Sequence, residues 1–245
     1  MLLGLSLVLV ACGTPKRDLR TKPYVKEAFT MGTYVKITSY DKGHEKDVAA
    51  ALAIAKDYDK KTSVNQSGSE LDEINDQAGI KPVKVSKAVY KLLKDAYDYS
   101  DKQTGFDMMI GAISSLWHIG FDDARKPSQA EIDQALPLVS HRLIEFDDQK
   151  QTVYITKKGA KIDLGAITKG YVSDRMTDYL KDHGVTTAIV DLGSSSLSLI
   201  GHSHRGAEEP WTIGIKDPNK AVSAQVGLLD AQDESVSTSG IYERF

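Results

Sequence analysis

The sequence predicts an α+β fold, a mostly antiparallel sheet with helices packed on it. Two patterns carry that expectation. Short alternating segments separated by polar turns run through Leu143 to Asp147, Thr152 to Thr156 and Ala160 to Leu164, and read as a β meander. Amphipathic stripes lie elsewhere in the chain, Val48, Ala51, Leu52, Ala55 and Tyr58 forming one and Val89, Leu92, Leu93, Ala96 and Tyr97 another. At 245 residues, with 41% hydrophobic and 27% charged content, the chain is long enough to bury a sizeable core. Its 34 acidic residues nearly balance 31 basic ones, so no nucleic-acid partner is expected.

The order of elements starts from an unusual N-terminus. Leu2 to Ala11 is apolar but far shorter than the ~20 residues that span a bilayer. It ends Leu9-Val10-Ala11-Cys12, which resembles a bacterial lipobox, in which the cysteine is lipidated. Residues 1–12 are therefore read as a lipoprotein signal segment, 13–26 as a polar tether and 27–245 as the folded domain. The expected location is the extracytoplasmic face of the cell membrane, held by lipid on Cys12. Met1-Leu2-Leu3 lacks the Lys or Arg that opens a signal peptide, so the natural start is expected a few residues earlier. A buried N-terminal strand with a core cysteine is the competing reading. Cys12 is the single cysteine, which excludes an internal disulfide framework.

Tyr34 to Thr38 alternates as a strand, and Gly32 just before it marks a bulge or a ligand against the backbone. Thr62 to Gly68 is a polar loop, Ser69 to Asn75 a short helix, and Ser86 caps the helix that follows. Gly105-Phe106-Asp107 to Gly120 concentrates glycines with Leu116-Trp117 and His118; it walls an aromatic ligand or is an aromatic-packed turn. Ser128 to Glu131 is a capping box whose helix Pro137 stops. Thr187 to Leu192, a run to Ile200, Trp211 to Ile215 and Gln225 to Leu229 complete the strands. His202-Ser203-His204 offers two imidazoles, a poor metal site alone.

The chemistry concentrates in Lys161 to Gly170. Lys161 to Leu164 reads as a strand end with Asp163 on the face opposite Ile162 and Leu164, and Gly165 turns the chain. Val172, Met176, Tyr179 and Leu180 then give a helical stripe closed by His183-Gly184. Lys169 falls in the first turn, where the helix already presents positive partial charge, so it fits best if an anion shares that end. Gly170 costs about 1 kcal/mol against Ala in a helix, so it marks a close approach. With Asp163 nearby, the combination points to a phosphate-bearing ligand with a divalent cation; an ordinary turn with surface Lys and Asp has the same spacing. Tyr171-Val172 stands where a P-loop needs Lys and Ser/Thr, and no GxGxxG, HExxH, CxxC or GxSxG occurs.

These blocks resemble the ApbE family of FAD:protein FMN transferases. The matching stretches are Met31-Gly32-Thr33, Gly105-Phe106-Asp107 with Gly111 and Leu116-Trp117, Asp163 to Tyr171 with Asp174, Asp191-Leu192-Gly193, Trp211 to Ile215 with Asp217-Pro218, and Thr238 to Arg244. The resemblance implies an ApbE-like, T-fold-like domain that binds FAD, uses Mg²⁺, and transfers FMN to a Ser/Thr hydroxyl of a target flavoprotein, releasing AMP. It implies FAD contacts at Met31, Gly105, Phe106, Asp107, Asp163 and Lys169, and a backbone carbonyl of Ala166 on Mg²⁺. Departures accompany it. Val64-Asn65-Gln66-Ser67-Gly68 replaces the aromatic that the family places before Ser69-Glu70, which favours FAD hydrolysis to FMN and AMP as an alternative, and Ser194-Ser195-Ser196 follows Gly193 where Gly is usual. The family's His- and Asp-containing segment and its Asp/Thr metal segment would lie beyond Phe245. The chain is therefore expected to be C-terminally truncated, without its catalytic base, with little transferase activity and an exposed sheet edge. A non-catalytic ligand-binding lipoprotein is the third reading.

Overall fold

A computed structural model describes residues 19–64, 67–102, 105–119, 121–206, 208–219 and 224–239. Its centre is an antiparallel sheet of order β1-β2-β6-β7-β10, from Leu19–Thr30, Thr33–Asp41, Ala188–Leu192, Ser196–Ile200 and Ser235–Ser237. One face carries Val35, Ile37, Ala188, Val190 and Leu192, all fully buried. Against it pack α1 (Glu45–Thr62), through Val48, Ala51, Leu52 and Ala55, and α6 (Thr168–Asp182), through Val172, Met176 and Leu180. The helical stripes read from the sequence are the buried ones. Burying each such aliphatic side chain contributes about 1.5–3 kcal/mol relative to leaving it in water.

A smaller sheet of order β3-β5-β4 (Val83–Lys84, Thr152–Ile155, Ile144–Asp147) extends the same core, beside α2 (Glu70–Asp76) and α3 (Lys87–Asp101). Ser69 and Ser86 cap these two helices by accepting from Asp72 N and Val89 N. A one-turn α4 (Gly111–Ser114) and α5 (Gln129–Ala135) follow, the latter opened by the Ser128–Glu131 capping box and ended by the 3-10 turn through Pro137. The hairpin β8-β9 (Trp211–Lys216, Gln225–Ala231) covers part of the other face of the large sheet, Trp211, Ile213 and Ala231 meeting Leu199, Tyr40 and Ile189.

Several expectations need correction. Ala160 to Leu164 is not a third meander strand; β3 takes that place in the sheet. The segment runs extended beside residues 107–111 instead, making one parallel bridge, Ile110 with Lys161. Gly32 is not a bulge: Met31 and Gly32, at φ 54° and 69°, are the two-residue turn of the β1-β2 hairpin. From Leu19 the expected tether is already the strand β1, whose polar residues suit a sheet edge. Cys12, Asn65, Gln66 and the block from Gly240 lie outside the described residues.

The hairpin turns bring distant blocks together. Gly193, at φ 67°, sits so close to Thr33 that a Cβ would run into that side chain. Gly193→Ala is expected to destabilise the protein by about 1–3 kcal/mol, combining overlap with a backbone region unsuited to Ala. Urea unfolding should show a lower midpoint with an unchanged slope.

Candidate functional site

The site begins where Ala160 to Leu164 meets residues 107–111. Asp163 N–H donates to Met108 O (2.9 Å), and Gly111 N–H to Lys161 O (3.1 Å). A Cβ on Gly111 would stand 2.7 Å from that carbonyl, so only Gly permits the approach. Asn75 brackets the same segment: its Nδ2 donates to Ile162 O (3.0 Å) and its Oδ1 accepts from Ile162 N–H (2.7 Å). Ile162 and Leu164 point into the core, at 1% and 2% exposure, which turns Asp163 to the opposite side. There its Oδ2 accepts from Ser114 Oγ (2.6 Å) and its Oδ1 from Gly165 N–H (2.8 Å). The carboxylate thus fixes the turn from which α6 starts.

Helix α6 then opens at Ile167 without a side-chain cap, although Thr168 Oγ donates back to Leu164 O (2.8 Å). Its first-turn N–H groups have no side-chain acceptor at the N-cap, the condition under which an anion is welcome. Beside this end lies a groove of about 750 Å³. Ala166, Ile167, Gly170, Tyr171 and Asp174 line it from α6, and Asp95, Asp98, Tyr99 and Lys102 from the end of α3, with Phe106 completing the wall. On each helix these are neighbours on one face, at i, i+3, i+4 and i+7 spacing.

The charges in the groove are mixed. Burial pushes the Asp174 carboxyl up, and neighbouring Arg175 pulls it back. Arg175 lies 5.2 Å over the Tyr171 ring and pairs with Asp178 at 2.8 Å. Tyr171 also meets Tyr58 edge-on at 5.7 Å, and burial raises both phenols above their usual range. Lys91 Nζ reaches the Tyr171 ring at 6.0 Å. The aromatic wall is therefore held on several sides.

Of the residues implied for FAD, Phe106 lines the groove; Asp163, in the turn before α6, and Lys169, in its first turn, do not line it but are close in sequence to Ala166 and Gly170, which do. Gly105, at φ 83°, is exposed next to Phe106. Asp107 turns inward: Oδ1 accepts from Met109 N–H (2.8 Å) and Oδ2 from His141 N–H (3.0 Å). Met31 occupies its hairpin turn and packs on the main core. Trp117 does not line the groove. Ala166, implied for Mg²⁺, is exposed on the groove, but among the described residues no group of three or more His, Cys, Asp or Glu converges. These residues alone do not fit a magnesium ion, which needs octahedral oxygen coordination. His204 stacks on Tyr40 (3.9 Å between centroids) and His202 lies by Gln232, so this pair packs rather than chelates.

The α3 residues were missed because Asp95, Asp98 and Lys102 look like an ordinary solvent face. Tyr99, 51% exposed among them, was the available signal. Gly170, expected to mark a close approach, meets no such approach from the described residues. A Cβ there would meet nothing within 4 Å, so no part of the protein approaches it, and the open space belongs to the groove. Gly170→Ala is expected to stabilise α6 by up to about 1 kcal/mol through helix propensity. If the groove takes the FAD that the resemblance implies, the same change should weaken its binding, so thermal midpoint and flavin affinity, measured together, should move in opposite directions.

Comparison with known proteins identifies the family. The model of the ApbE family matches residues 31–245. An FAD:protein FMN transferase of Klebsiella pneumoniae (strain 342) is 34% identical over 91% of this chain and 67% of its own length. One from Treponema pallidum (strain Nichols) is 32% identical over 98% of this chain and 71% of its own. The crystal structure of the ApbE protein of Thermotoga maritima superposes with a TM-score of 0.80 at 30% identity, covering 91% of this chain and 72% of that one. Flavin transferase ApbE from Vibrio cholerae, at 22% identity and a TM-score of 0.76, has the same fold. The match spans both halves of the groove and the turn that Asp163 fixes: the chain belongs to the ApbE family.

Proposed function

We propose that this chain is an FAD:protein FMN transferase, taking FMN from FAD to a Ser/Thr hydroxyl of a target flavoprotein with release of AMP. The observation that carries the proposal is the groove beside the uncapped start of α6, built around Asp163 to Tyr171. Its volume is in the range of ligand pockets, about 300–1,000 Å³. Phe106, Tyr99 and Tyr171 offer faces for flat rings, and Arg175 Nε is buried with no hydrogen-bond partner among the described residues.

The pyrophosphate belongs at the start of α6. There the helix N–H groups, with the cationic Lys169 of the first turn, would offset charge that grows on the departing AMP phosphate. The acceptor oxygen bonds to the FMN phosphorus as the P–O bond to AMP breaks. The hydroxyl proton passes to a base, a role we assign to no described residue. Asp163, held by Ser114 and Gly165, keeps the turn in register with the groove. Magnesium, where bound, supplies neutralisation of phosphate charge. With Ala166 as the only implied ligand among the described residues, no step is routed through it. The Leu9-Val10-Ala11-Cys12 run supports a lipid anchor on Cys12 and a place on the extracytoplasmic face of the membrane.

The decisive assay mixes the full-length protein with FAD, Mg²⁺ and an acceptor protein. Flavin covalently on the acceptor, with AMP released, is the expected result. Free FMN and AMP with unmodified acceptor would make it a pyrophosphatase, and bound but intact FAD a ligand-binding lipoprotein. Asp163→Ala is expected to cost at least about a hundredfold in turnover, the scale of a misplaced reactive group. For the anchor, Cys12→Ala should abolish labelling by radioactive palmitate and move the protein from the membrane to the soluble fraction.

A further inference from the structure

We infer that Thr177 and Asp174 form a polar subsite at the downstream end of the groove, one that reads the uracil-like edge of the flavin ring. The identity of the ligand rests on the transferase reading above.

The face of α6 that lines the groove does not stop at Asp174. Residues 174, 177, 178 and 181 continue it, again at i, i+3, i+4 and i+7 spacing, into a recess of about 250 Å³. Ser198 of β7 and Ser235 of β10 line the far side of this recess. Asp174 and Arg175 line both spaces, so groove and recess adjoin. The serine hydroxyls are already engaged: Ser198 Oγ lies 2.8 Å from Ser173 Oγ and 2.9 Å from Ser235 Oγ.

Thr177 is different. It is 9% exposed, and its Oγ1 is buried with no hydrogen-bond partner among the described residues. Elsewhere in the helices Thr62, Ser100 and Thr168 each donate to the carbonyl four residues back, at 2.8 Å. Thr177 makes no such bond, and a buried hydroxyl left without a partner is destabilising. The recess that Thr177 lines is the place from which a ligand can supply one.

The charges there select the ligand. Both cations are paired, Arg175 with Asp178 at 2.8 Å and Lys181 with Asp233 at 2.9 Å, while Asp174 and Glu234 add negative charge, so a phosphate is unwelcome. Among the described residues no group of three or more His, Cys, Asp or Glu converges to hold a metal. A neutral group that both donates and accepts suits the lining, with an N–H for the Asp174 carboxylate and a carbonyl for the Thr177 hydroxyl. The flavin ring has such an edge, one N–H between two carbonyls. Position agrees with chemistry. At about 1.5 Å per residue, Thr177 stands about 13 Å along the helix axis from Thr168. That is too far for a sugar attached to a phosphate at the start of α6, and within reach of the ring that the ribityl chain carries beyond it. The ring body then occupies the groove between the walls that Tyr171 and Tyr99 supply, with its polar edge in the recess.

Calorimetric titration of the full-length protein with FAD, without Mg²⁺ so that no turnover occurs, tests the subsite. Thr177→Val keeps the side-chain shape and removes the hydroxyl, and should bind FAD about tenfold more weakly. Thr177→Ser returns the hydroxyl and should recover most of the affinity. Without ligand, Thr177→Val should melt at or above the wild-type temperature, because it removes an unpartnered buried polar atom; the lost affinity is then not lost fold. FAD methylated at the flavin ring N–H should bind the wild type about tenfold more weakly than FAD, since a methyl group replaces the donor to Asp174. Equal FAD affinity in Thr177→Val and wild type, or equal affinity of the wild type for FAD and its methylated form, overturns the inference and leaves the transferase reading standing. A wild type that binds no FAD overturns both.

Discussion

The site depends on one interlock, that of residues 107–111 with 161–165. Met108 O accepts from Asp163 N–H, Lys161 O accepts from Gly111 N–H, and Ser114 Oγ closes on the Asp163 carboxylate. These bonds join segments about fifty residues apart in sequence. A hydrogen bond to a charged group contributes about 1.5–3 kcal/mol, and leaving one such partner unsatisfied costs as much or more. The interlock also sets direction. By holding Ile162 and Leu164 in the core it forces Asp163 outward and decides where α6 starts.

From that start the rest of the groove follows. One side of α6 is committed to the core through Val172, Met176 and Leu180. Its rotation about its own axis is therefore fixed, and residues 167, 170, 171 and 174 have no choice but to face α3. Helix α3 is fixed by the same logic through Val89, Leu92, Leu93 and Ala96. Ser100 ties its end to the interlock, donating to Ala96 O and accepting from Met108 N–H at 3.0 Å. The groove is what remains between two helices whose orientations the core has already determined.

This explains which parts of the molecule could be read from the sequence. Helix stripes, serine caps and hairpin strands obey local rules, and α1, α3, α6, β8 and β9 stand where their periodicity put them. Ala160 to Leu164 failed because alternation reports only that a segment is extended with one face buried. It does not say whether the partner is the preceding strand or residues 107–111. The polar residues of β1 misled for a related reason: an edge strand needs no continuous apolar pattern, so Leu19 to Lys26 resembled a tether. Lys169 and Gly170 drew notice in the sequence because a Lys at a helix's positive end and a Gly inside a helix are locally costly, whereas Ala166 came only with the family resemblance.

The distribution of charge narrows how a flavin nucleotide would lie in this groove under the proposed function. Asp95, Asp98 and Asp174 face it against Lys102 and Arg175, so its middle is a poor place for a pyrophosphate. Anionic oxygens are favoured only at the start of α6, where the helix partial charge and Lys169 coincide. A ligand with phosphates there must extend its rings along the groove, past Phe106 and Tyr171, towards Tyr99 on α3. That orientation makes the spacing between α3 and the Phe106 segment a term in affinity. The ring system would feel any change in that width, while the phosphate end, held at the start of α6, would not.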